Sequence, residues 1–188
     1  MINDIGFEAF NFKKLGQVIN SPESSIYRYF DNKHTLLLYL TSWYWTWMEF
    51  QLVFATPNIL SAQERLQKCI EILTKPVSAD SSITYVNESL LSEIIFSESI
   101  KTYHTKNVDD ENKRGSFKAY KSVVQRVSDI VLELKPQFAF PHMLISTVIE
   151  GAHHQKYFSE HLPSLTDKGG EENSITQFYL DLVNHFTK

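Results

Sequence analysis

Glu150 and His153 are the two residues whose spacing is most typical of metal chemistry. Only two small residues separate them, and a carboxylate and an imidazole at this Glu-x-x-His spacing lie on one face of a helix. A di-iron helix bundle uses two such motifs and two further glutamates. The chain has one motif, and Tyr157 and His161 add no second. A polar patch on a packed helix is therefore the better interpretation, and an enzyme built on this pair is a minor alternative.

Cys69 is the only cysteine, so neither an internal disulfide nor a zinc site built on paired cysteines can form. Its neighbours Leu66, Ile70 and Leu73 are apolar, which favours a small buried hydrophobe over a nucleophile. The sequence also lacks the glycine-rich motifs that bind nucleotide phosphates. It therefore predicts no cofactor, no metal site and no catalytic residue, and the protein is not expected to be an enzyme.

The elements that carry these residues have the pattern of helices. The chain has 188 residues, 43% of them hydrophobic, and a net charge of −4, which allows one large or two small domains with a core. Apolar residues recur at helical spacing, as at Leu36, Leu40, Trp43 and Trp47, and prolines divide the segments. The fold is predicted to be all-α, with a loop from Ser164 to Asn173. The helices are expected at about 11–19, 22–30, 33–55, 61–75, 83–104, 111–135, 142–162 and 172–187.

No segment of the sequence has the pattern of a membrane span or a secretory signal. The longest apolar run, from Trp43 to Ala55, contains polar residues and is shorter than the ~20 residues that span a bilayer. The first residues include neither a basic region nor a long apolar run. A soluble, cytoplasmic protein with no membrane partner is therefore expected. Its pI near 6.0 argues against a uniformly basic nucleic-acid binder, so any such contact must be local.

Residues 12–40 have the pattern of a helix-turn-helix. A short amphipathic helix leads into a turn at 20–22, with the sequence Asn-Ser-Pro. Ser21 is a good N-cap for the next helix, and proline suits the first helical turn. The apolar Ile26 and Phe30 share one face of that short helix. Its polar residues are therefore available to enter a major groove.

Three stretches of this region resemble the DNA-binding domain of the TetR (tetracycline-repressor) family. They are residues 6–15 (GFEAFNFKKL), 24–30 (SSIYRYF) and 32–37 (NKHTLL). Beyond residue 40, members of the family share architecture rather than sequence. The resemblance implies a DNA-binding head at 1–34 and an all-helical domain at 35–188 that binds a small molecule and dimerises.

The resemblance also implies partners and residue roles. Members of the family are homodimers whose recognition helices read near-palindromic, double-stranded operator DNA. At the matching positions, Tyr27 and Lys33 would hold phosphates, as would Lys13 or Lys14, and the candidates for base contacts are Glu23, Ser24, Ser25 and Tyr29. Ammonium and hydroxyl groups suit contacts to the DNA backbone, and short polar side chains near a helix start can approach base edges. Residues 11–34 carry four basic residues against two acidic ones, which is a local positive patch.

The motif differs from the family pattern at two places. Asn20 stands in the turn where the family usually has glycine, and asparagine tolerates the left-handed conformation. Gly16 agrees with the small residue that is usual at its position. Before Gly6 the family places a full helix, where this chain has only Met1 to Ile5. The resemblance therefore implies either a sequence truncated at its start, which is the expected case, or a weakened DNA-binding head.

The helix predicted at 33–55 links the two parts and is unusually aromatic. Packing in the core and at a dimer contact is the interpretation that accounts for most of its aromatic residues. In the alternative, an apolar pocket is lined by Trp47, Phe50, Phe54, Phe117 and Tyr120. The implied effector is a small hydrophobic or aromatic molecule. The effector would bind best to a state of the dimer in which the spacing of the recognition helices does not match one turn of DNA, and the protein would then release the DNA.

The last two predicted helices are the expected dimer interface. Two helices from each subunit would form a four-helix bundle, with Gly151 allowing close approach and the buried residues being Val148, Ala152, Phe158, Phe178, Leu182 and Phe186. In the alternative, the same faces complete the core of a single chain. The sequence as a whole predicts a transcriptional regulator, a repressor released by a ligand. The alternative function is a helical ligand-binding dimer with impaired or no DNA binding.

Overall fold

The computed structural model describes residues 1–77, 86–167 and 173–187, and in them every regular element is a helix. The all-α class is therefore confirmed for this part of the chain. Residues 168–172 of the loop predicted from Ser164 to Asn173, with the glycines Gly169 and Gly170 among them, lie outside it. The helices are α1 (Ile2–Ala9), α2 (Phe12–Val18), α3 (Glu23–Tyr27), α4 (Lys33–Ala55), α5 (Ala62–Thr74), α6 (Glu88–Ser97), α7 (Ser99–Tyr103), α8 (Val108–Lys113), α9 (Lys118–Leu134), α10 (Pro141–His161) and α11 (Ser174–Thr187), with a 3₁₀ turn at Pro163–Leu165. None of these helices has both the length and the apolar character needed to cross a bilayer.

Several helix starts are determined by local side chains. Asn11, Ser61 and Asn87 each accept a hydrogen bond from the backbone N–H three residues further on, at 2.9, 3.3 and 3.0 Å. Each bond satisfies a donor that the first helical turn leaves free. Pro141 begins α10, where its fixed φ suits the first turn. Because these signals are local, the predicted starts of α2, α5 and α10 each lie within one residue of the observed ones.

The structure differs from the predicted helices at three places. The helix Ile2–Ala9 was not predicted, and its two short parts meet at Gly6, whose φ of 75° is not helical. The helix predicted at 83–104 is observed as α6 and α7, which separate at Glu98, and residues 83–85 lie outside the described part. The helix predicted at 111–135 is observed as α8 and α9, which are separated by Gly115 at a φ of 89°. Glycine adopts that conformation without strain, so an apolar period that continues across it does not make one helix.

The chain divides into two compact units. The first unit comprises Met1–Trp45 and Val77–Lys118, and the second unit comprises Thr46–Pro76 and Ala119–Lys188. Helix α4 therefore belongs to the first unit in its N-terminal half and to the second unit in its C-terminal half.

The first unit extends beyond the head predicted at 1–34, because side chains of α1 and α4 bond to later helices. The amide of Asn3 donates to the backbone carbonyl of Leu90 in α6 at 3.1 Å. The imidazole of His34, in the first turn of α4, lies 2.8 Å from the carboxylate of Glu111 in α8. These bonds join residues more than seventy positions apart, so the extent of the unit depends on tertiary contacts.

The second unit is built on α5, α10 and α11, which pack against one another. Its most deeply buried apolar residues, with α9 and the C-terminal half of α4 contributing, are Leu52, Leu66, Cys69, Ile70, Val123, Val127, Val131, Ile145, Val148 and Ile149. The expected burial of Cys69 is confirmed, and that burial raises the pKa of its thiol to about 11. A thiol with such a pKa is almost wholly protonated at neutral pH and is therefore a poor nucleophile.

Candidate nucleic-acid interface

Helices α2 and α3 are joined by a turn whose backbone geometry is tight. Asn20 has a φ of 50°, so the left-handed conformation expected there is confirmed. The N–H of Ser21 donates to the carbonyl of Gly16 at 2.9 Å. A Cβ on Gly16 would stand 2.5 Å from the carbonyl oxygen of Ser21. Only glycine allows the turn to approach α2 this closely.

A small core holds α3 against α2 and the start of α4. Phe10, Phe12, Ile26 and Leu36 are buried together. The ring of Phe12 meets the ring of Phe10 edge-on at 6.2 Å and the ring of Tyr27 at 5.0 Å between centroids. Because these large side chains interdigitate, the orientation of the short helix α3 is fixed by packing rather than by its own hydrogen bonds.

The four residues predicted to contact bases lie on α3 or next to it. Ser24 is exposed, and Tyr29 is 80% exposed. Glu23 and Ser25 are half-buried, and the Ser25 hydroxyl donates to the carbonyl of Pro22 at 2.7 Å. The structure therefore presents Ser24 and Tyr29 directly to solvent, whereas Ser25 already has a partner within the chain.

The predicted N-cap of this helix is wrong by one position. Helix α3 begins at Glu23, and Pro22 occupies the N-cap position without a side-chain cap. The hydroxyl of Ser21 lies 2.8 Å from the hydroxyl of Ser25 instead. Because Ser21 is held to Gly16 through its backbone, its side chain is placed beside the first turn rather than at its start.

Three lysines and one tyrosine are the predicted phosphate contacts, and the structure distinguishes among them. Lys13 is exposed and has no hydrogen-bond or ion-pair partner among the described residues. The Nζ of Lys14 donates to the carbonyl of Ala9 at 2.8 Å. Tyr27 is half exposed, and its ring packs on the core. Lys13 and the Tyr27 hydroxyl are thus the most accessible candidates.

Lys33 begins α4, as expected, but its ammonium group is turned toward α1. Its Nζ donates to the carbonyls of Phe7 at 3.0 Å and Glu8 at 3.2 Å, and it lies 4.9 Å from the centre of the Phe7 ring. Together with the bond from Lys14 to Ala9, these bonds satisfy carbonyls that the end of α1 leaves free.

The Glu8 carboxylate connects Lys33 to a second lysine in α7. It lies 2.9 Å from the Nζ of Lys101 and 3.8 Å from the Nζ of Lys33. Lys101 also pairs with Glu98 at 2.7 Å and lies 5.6 Å from the centre of the Phe7 ring. The hydrogen bond from Lys101, with the attraction of both lysines, lowers the pKa of Glu8, and the bonds to Glu98 and Glu8 raise the pKa of Lys101.

Two further basic residues of this surface, Arg28 and Lys101, were not predicted as DNA contacts from the sequence. Arg28 is exposed, follows the last residue of α3, and has no hydrogen-bond or ion-pair partner in the part of the chain that the structure describes. Its charge beside Tyr27 and Tyr29 was a usable signal. Lys101 carried no such signal, because it lies far from the motif in sequence and reaches it only in the fold.

The aromatic residues predicted to line an effector pocket belong to both units, Phe117 to the first and the other four to the second. Phe50 and Phe54 stack at 6.0 Å between centroids and are 55% and 75% exposed. Trp47, on the same helix, is half-buried. Phe117 is buried against Tyr103 in the first unit, with ring centroids 5.6 Å apart. Phe50 and Phe54 are therefore brought together, while Phe117 has its own packing partner.

Tyr120, the fifth predicted pocket residue, contacts Glu150 of the Glu-x-x-His motif. Its hydroxyl donates to the Glu150 carboxylate at 2.6 Å. Loss of hydration lowers the pKa of His153 to about 3, with smaller contributions from Lys156 and His154. Across residues 1–77, 86–167 and 173–187, no three histidine, cysteine or acidic residues lie close enough together to hold a metal ion. Tyr120 and Glu150 thus form a polar contact within the second unit.

The residues predicted at the dimer interface divide into buried and accessible ones. Val148 and Ala152 are buried within one chain, so they offer little surface to a second copy and form part of the core. Gly151 lies directly against the hydroxyl of Tyr179 in α11, so its close approach is made within the chain. Accessible surface remains at the other four residues: Phe158 and Leu182 are half-buried, and Phe178 and Phe186 are 57% and 41% exposed.

Comparisons of the chain with protein-family models, with curated proteins and with solved structures find no match. The likeness of residues 6–40 to the TetR family therefore stays a prediction from the motif. The structure shows α2, α3, their tight turn and the exposed polar residues at α3 without reference to that likeness.

Proposed function

We propose that the chain is a homodimeric, DNA-binding transcriptional regulator, a repressor that a small hydrophobic or aromatic ligand releases from its operator. The observation that carries the proposal is the α2–turn–α3 unit. A short helix is held by a small core, and Ser24 within the helix and Arg28 and Tyr29 directly after it are exposed. A helix presented in this way can enter a major groove, where exposed polar side chains read base edges.

The charges near α3 support the same proposal. Lys13 and Arg28 are exposed cations without partners in the described chain, although the protein as a whole is acidic. Cations of this kind neutralise DNA phosphates and release counterions, which supplies affinity without sequence preference. Exposed cations beside an exposed polar helix face meet both requirements of a sequence reader, since phosphate contacts position the protein and base contacts specify the site.

The second candidate is a ligand-binding dimer with impaired DNA binding. It is favoured by the engagement of Lys14 and Lys33, whose ammonium groups bond to carbonyls of α1. A lysine that binds a phosphate would have to leave those carbonyls or share its donors with them. The two candidates therefore differ in whether the remaining cations, Lys13 and Arg28, suffice for binding.

The experiment that tests the proposal is selection of a random-sequence duplex DNA pool by the full chain at low salt, followed by sequencing. Enrichment of a near-palindromic sequence is the expected result. Enrichment of no sequence would overturn the regulator proposal in favour of the ligand-binding dimer.

A matched pair of variants tests the assigned phosphate contact on the enriched duplex. In Lys13→Gln, the log–log dependence of affinity on salt should become shallower by about 1. In Lys106→Gln, which removes another exposed lysine outside α2 and α3, the slope should stay unchanged. Equal slopes for the two variants would remove Lys13 from the interface.

A further inference from the structure

Glu8 occupies an unusual position for an acidic residue beside a surface proposed to bind DNA. Its carboxylate is exposed, yet it lies 2.9 Å from Lys101 and 3.8 Å from Lys33. Its own backbone carbonyl accepts a second bond from Lys33. One residue is thus bonded both to α7 and to the start of α4, the helix that follows α3.

The Phe7 ring also lies close to both Lys33 and Lys101. The ammonium groups of Lys33 and Lys101 lie 4.9 and 5.6 Å from its centre, within the range of cation–π attraction. Phe7 itself is buried. Two positive charges held beside one ring would repel each other, and the Glu8 carboxylate, together with Glu98 on Lys101, compensates that repulsion. The cluster is electrically balanced only while Glu8 is charged.

We propose that Glu8 and Lys101 are positioning residues for DNA reading, because their ion pair holds the end of α1 and orients Lys33 and the start of α4 next to α3. The inference rests on the proposed function and adds to it two residues outside α2 and α3. Neither residue contacts DNA in this proposal. Both act through Lys33 and the small core to which α1 and α4 contribute.

The decisive variant is Glu8→Gln, because electrostatics and positioning predict opposite signs. Removing a negative charge near DNA should by itself raise the affinity for any duplex. Loss of the positioning ion pair should instead weaken binding to the enriched duplex about 1.4- to fivefold, the range for an exposed pair. The matched control is Asp31→Asn, an exposed acid before α4 that has no ion-pair partner among the described residues; its affinity should stay equal or rise.

Lys101 is tested by two substitutions that separate its charge from its size. Lys101→Met keeps an unbranched apolar chain near Phe7 but removes both ion pairs, and it should weaken binding as much as Glu8→Gln. Lys101→Arg keeps the positive charge and should restore affinity. The salt slope should be the same in Lys101→Arg and the unaltered chain, because the residue is not a phosphate contact.

Hydrogen exchange of residues 2–12 in the DNA-free protein measures the same ion pair independently. The N–H of Phe10, which donates to the carbonyl of Gly6 at 3.2 Å, should exchange faster in Glu8→Gln and Lys101→Met. It should be unchanged in Asp31→Asn and Lys101→Arg.

The outcomes separate this inference from the proposed function. If the unaltered chain selects no duplex, both fall together. If it selects one and Glu8→Gln binds that duplex as tightly as Asp31→Asn or more tightly, the positioning role alone is overturned. Weaker binding by Lys101→Arg, equal to that of Lys101→Met, would also overturn it.

Discussion

Substitution of Gly16 by alanine tests the tight turn on which the proposed function depends. A Cβ at this position would stand 2.5 Å from the carbonyl oxygen of Ser21 and 3.4 Å from the backbone nitrogen of Glu23. Real Cβ atoms do not approach a carbonyl oxygen so closely. Both neighbours are backbone atoms, so neither can move aside as the tip of a flexible side chain would.

The expected cost follows from two opposing effects. Overpacking of this kind costs about 1–3 kcal/mol, and distortion of the bond from Ser21 to the Gly16 carbonyl adds about 1 kcal/mol. Alanine regains about 1 kcal/mol because it is the better helix former. We therefore expect a net loss of about 2 kcal/mol in the free energy of unfolding, which lowers the Tm of a chain of this size by about 4–8 °C.

The assay is thermal and urea unfolding followed by circular dichroism, with binding of the enriched duplex measured alongside. Gln17→Ala, at the exposed neighbouring position of α2, is the control and should change the free energy of unfolding by less than about 0.5 kcal/mol. Gly16→Ala should also lose affinity for DNA, because α3 would be displaced from α2. A Gly16→Ala protein as stable as the unaltered chain, or more stable, would refute the close approach, since helix propensity alone would then have decided the result.

Three further predictions concern the second unit. If Phe178 lies at the proposed dimer interface, Phe178→Ser should shift the mass measured by light scattering from that of a dimer to that of a monomer. Phe50→Ser is the control, because Phe50 is of nearly equal exposure, and should leave the mass unchanged. A dimeric Phe178→Ser protein would contradict the proposed interface. Cys69 should react with a thiol reagent at pH 8 only after unfolding, because burial raises its pKa to about 11, and fast labelling of the native protein would show that the thiol is accessible. The fold lowers the pKa of His153 from 6.5 to about 3. Between these two pH values the imidazole is therefore protonated in the unfolded chain but neutral in the folded one. The free energy of unfolding should fall as the pH decreases from about 6.5 toward 3, by up to about 1.4 kcal/mol per pH unit. His153→Gln should flatten that pH dependence of unfolding, and a pH dependence unchanged in this variant would refute the assignment.

Local patterns predicted the helices whose starts and faces depend on neighbouring residues. The start of α5 follows from a cap at Ser61, and α4 occupies the range predicted from its apolar period. The left-handed Asn20 was predicted from the residue type and the motif alone. In each case the cause lies within a few residues of its effect, so the sequence window contains it.

Other features depended on contacts that no local pattern records. The apolar period predicted one helix where α8 and α9 are separate. The apolar period continues across Gly115, but the helical backbone conformation does not. Val148 and Ala152 matched the pattern of a dimer face and are buried within one chain, since an apolar stripe does not specify what covers it. Phe117, one of the aromatic residues predicted to line a pocket, packs on Tyr103 in α7, a contact outside its own sequence window.

The sequence by itself determined the all-helical class, the left-handed turn at Asn20 between α2 and α3, and the exposure of polar residues at α3, because helical period and steric limits on φ act over short distances. Only the tertiary structure decided which basic side chains of the motif bond to other parts of the chain. Lys13 and Lys33 are both lysines of the predicted head, yet Lys13 is without a partner among the described residues while Lys33 bonds to carbonyls twenty-five and twenty-six positions away. A long flexible side chain bonds to whatever acceptor the fold places within its reach, and that choice is made by packing rather than by spacing along the chain.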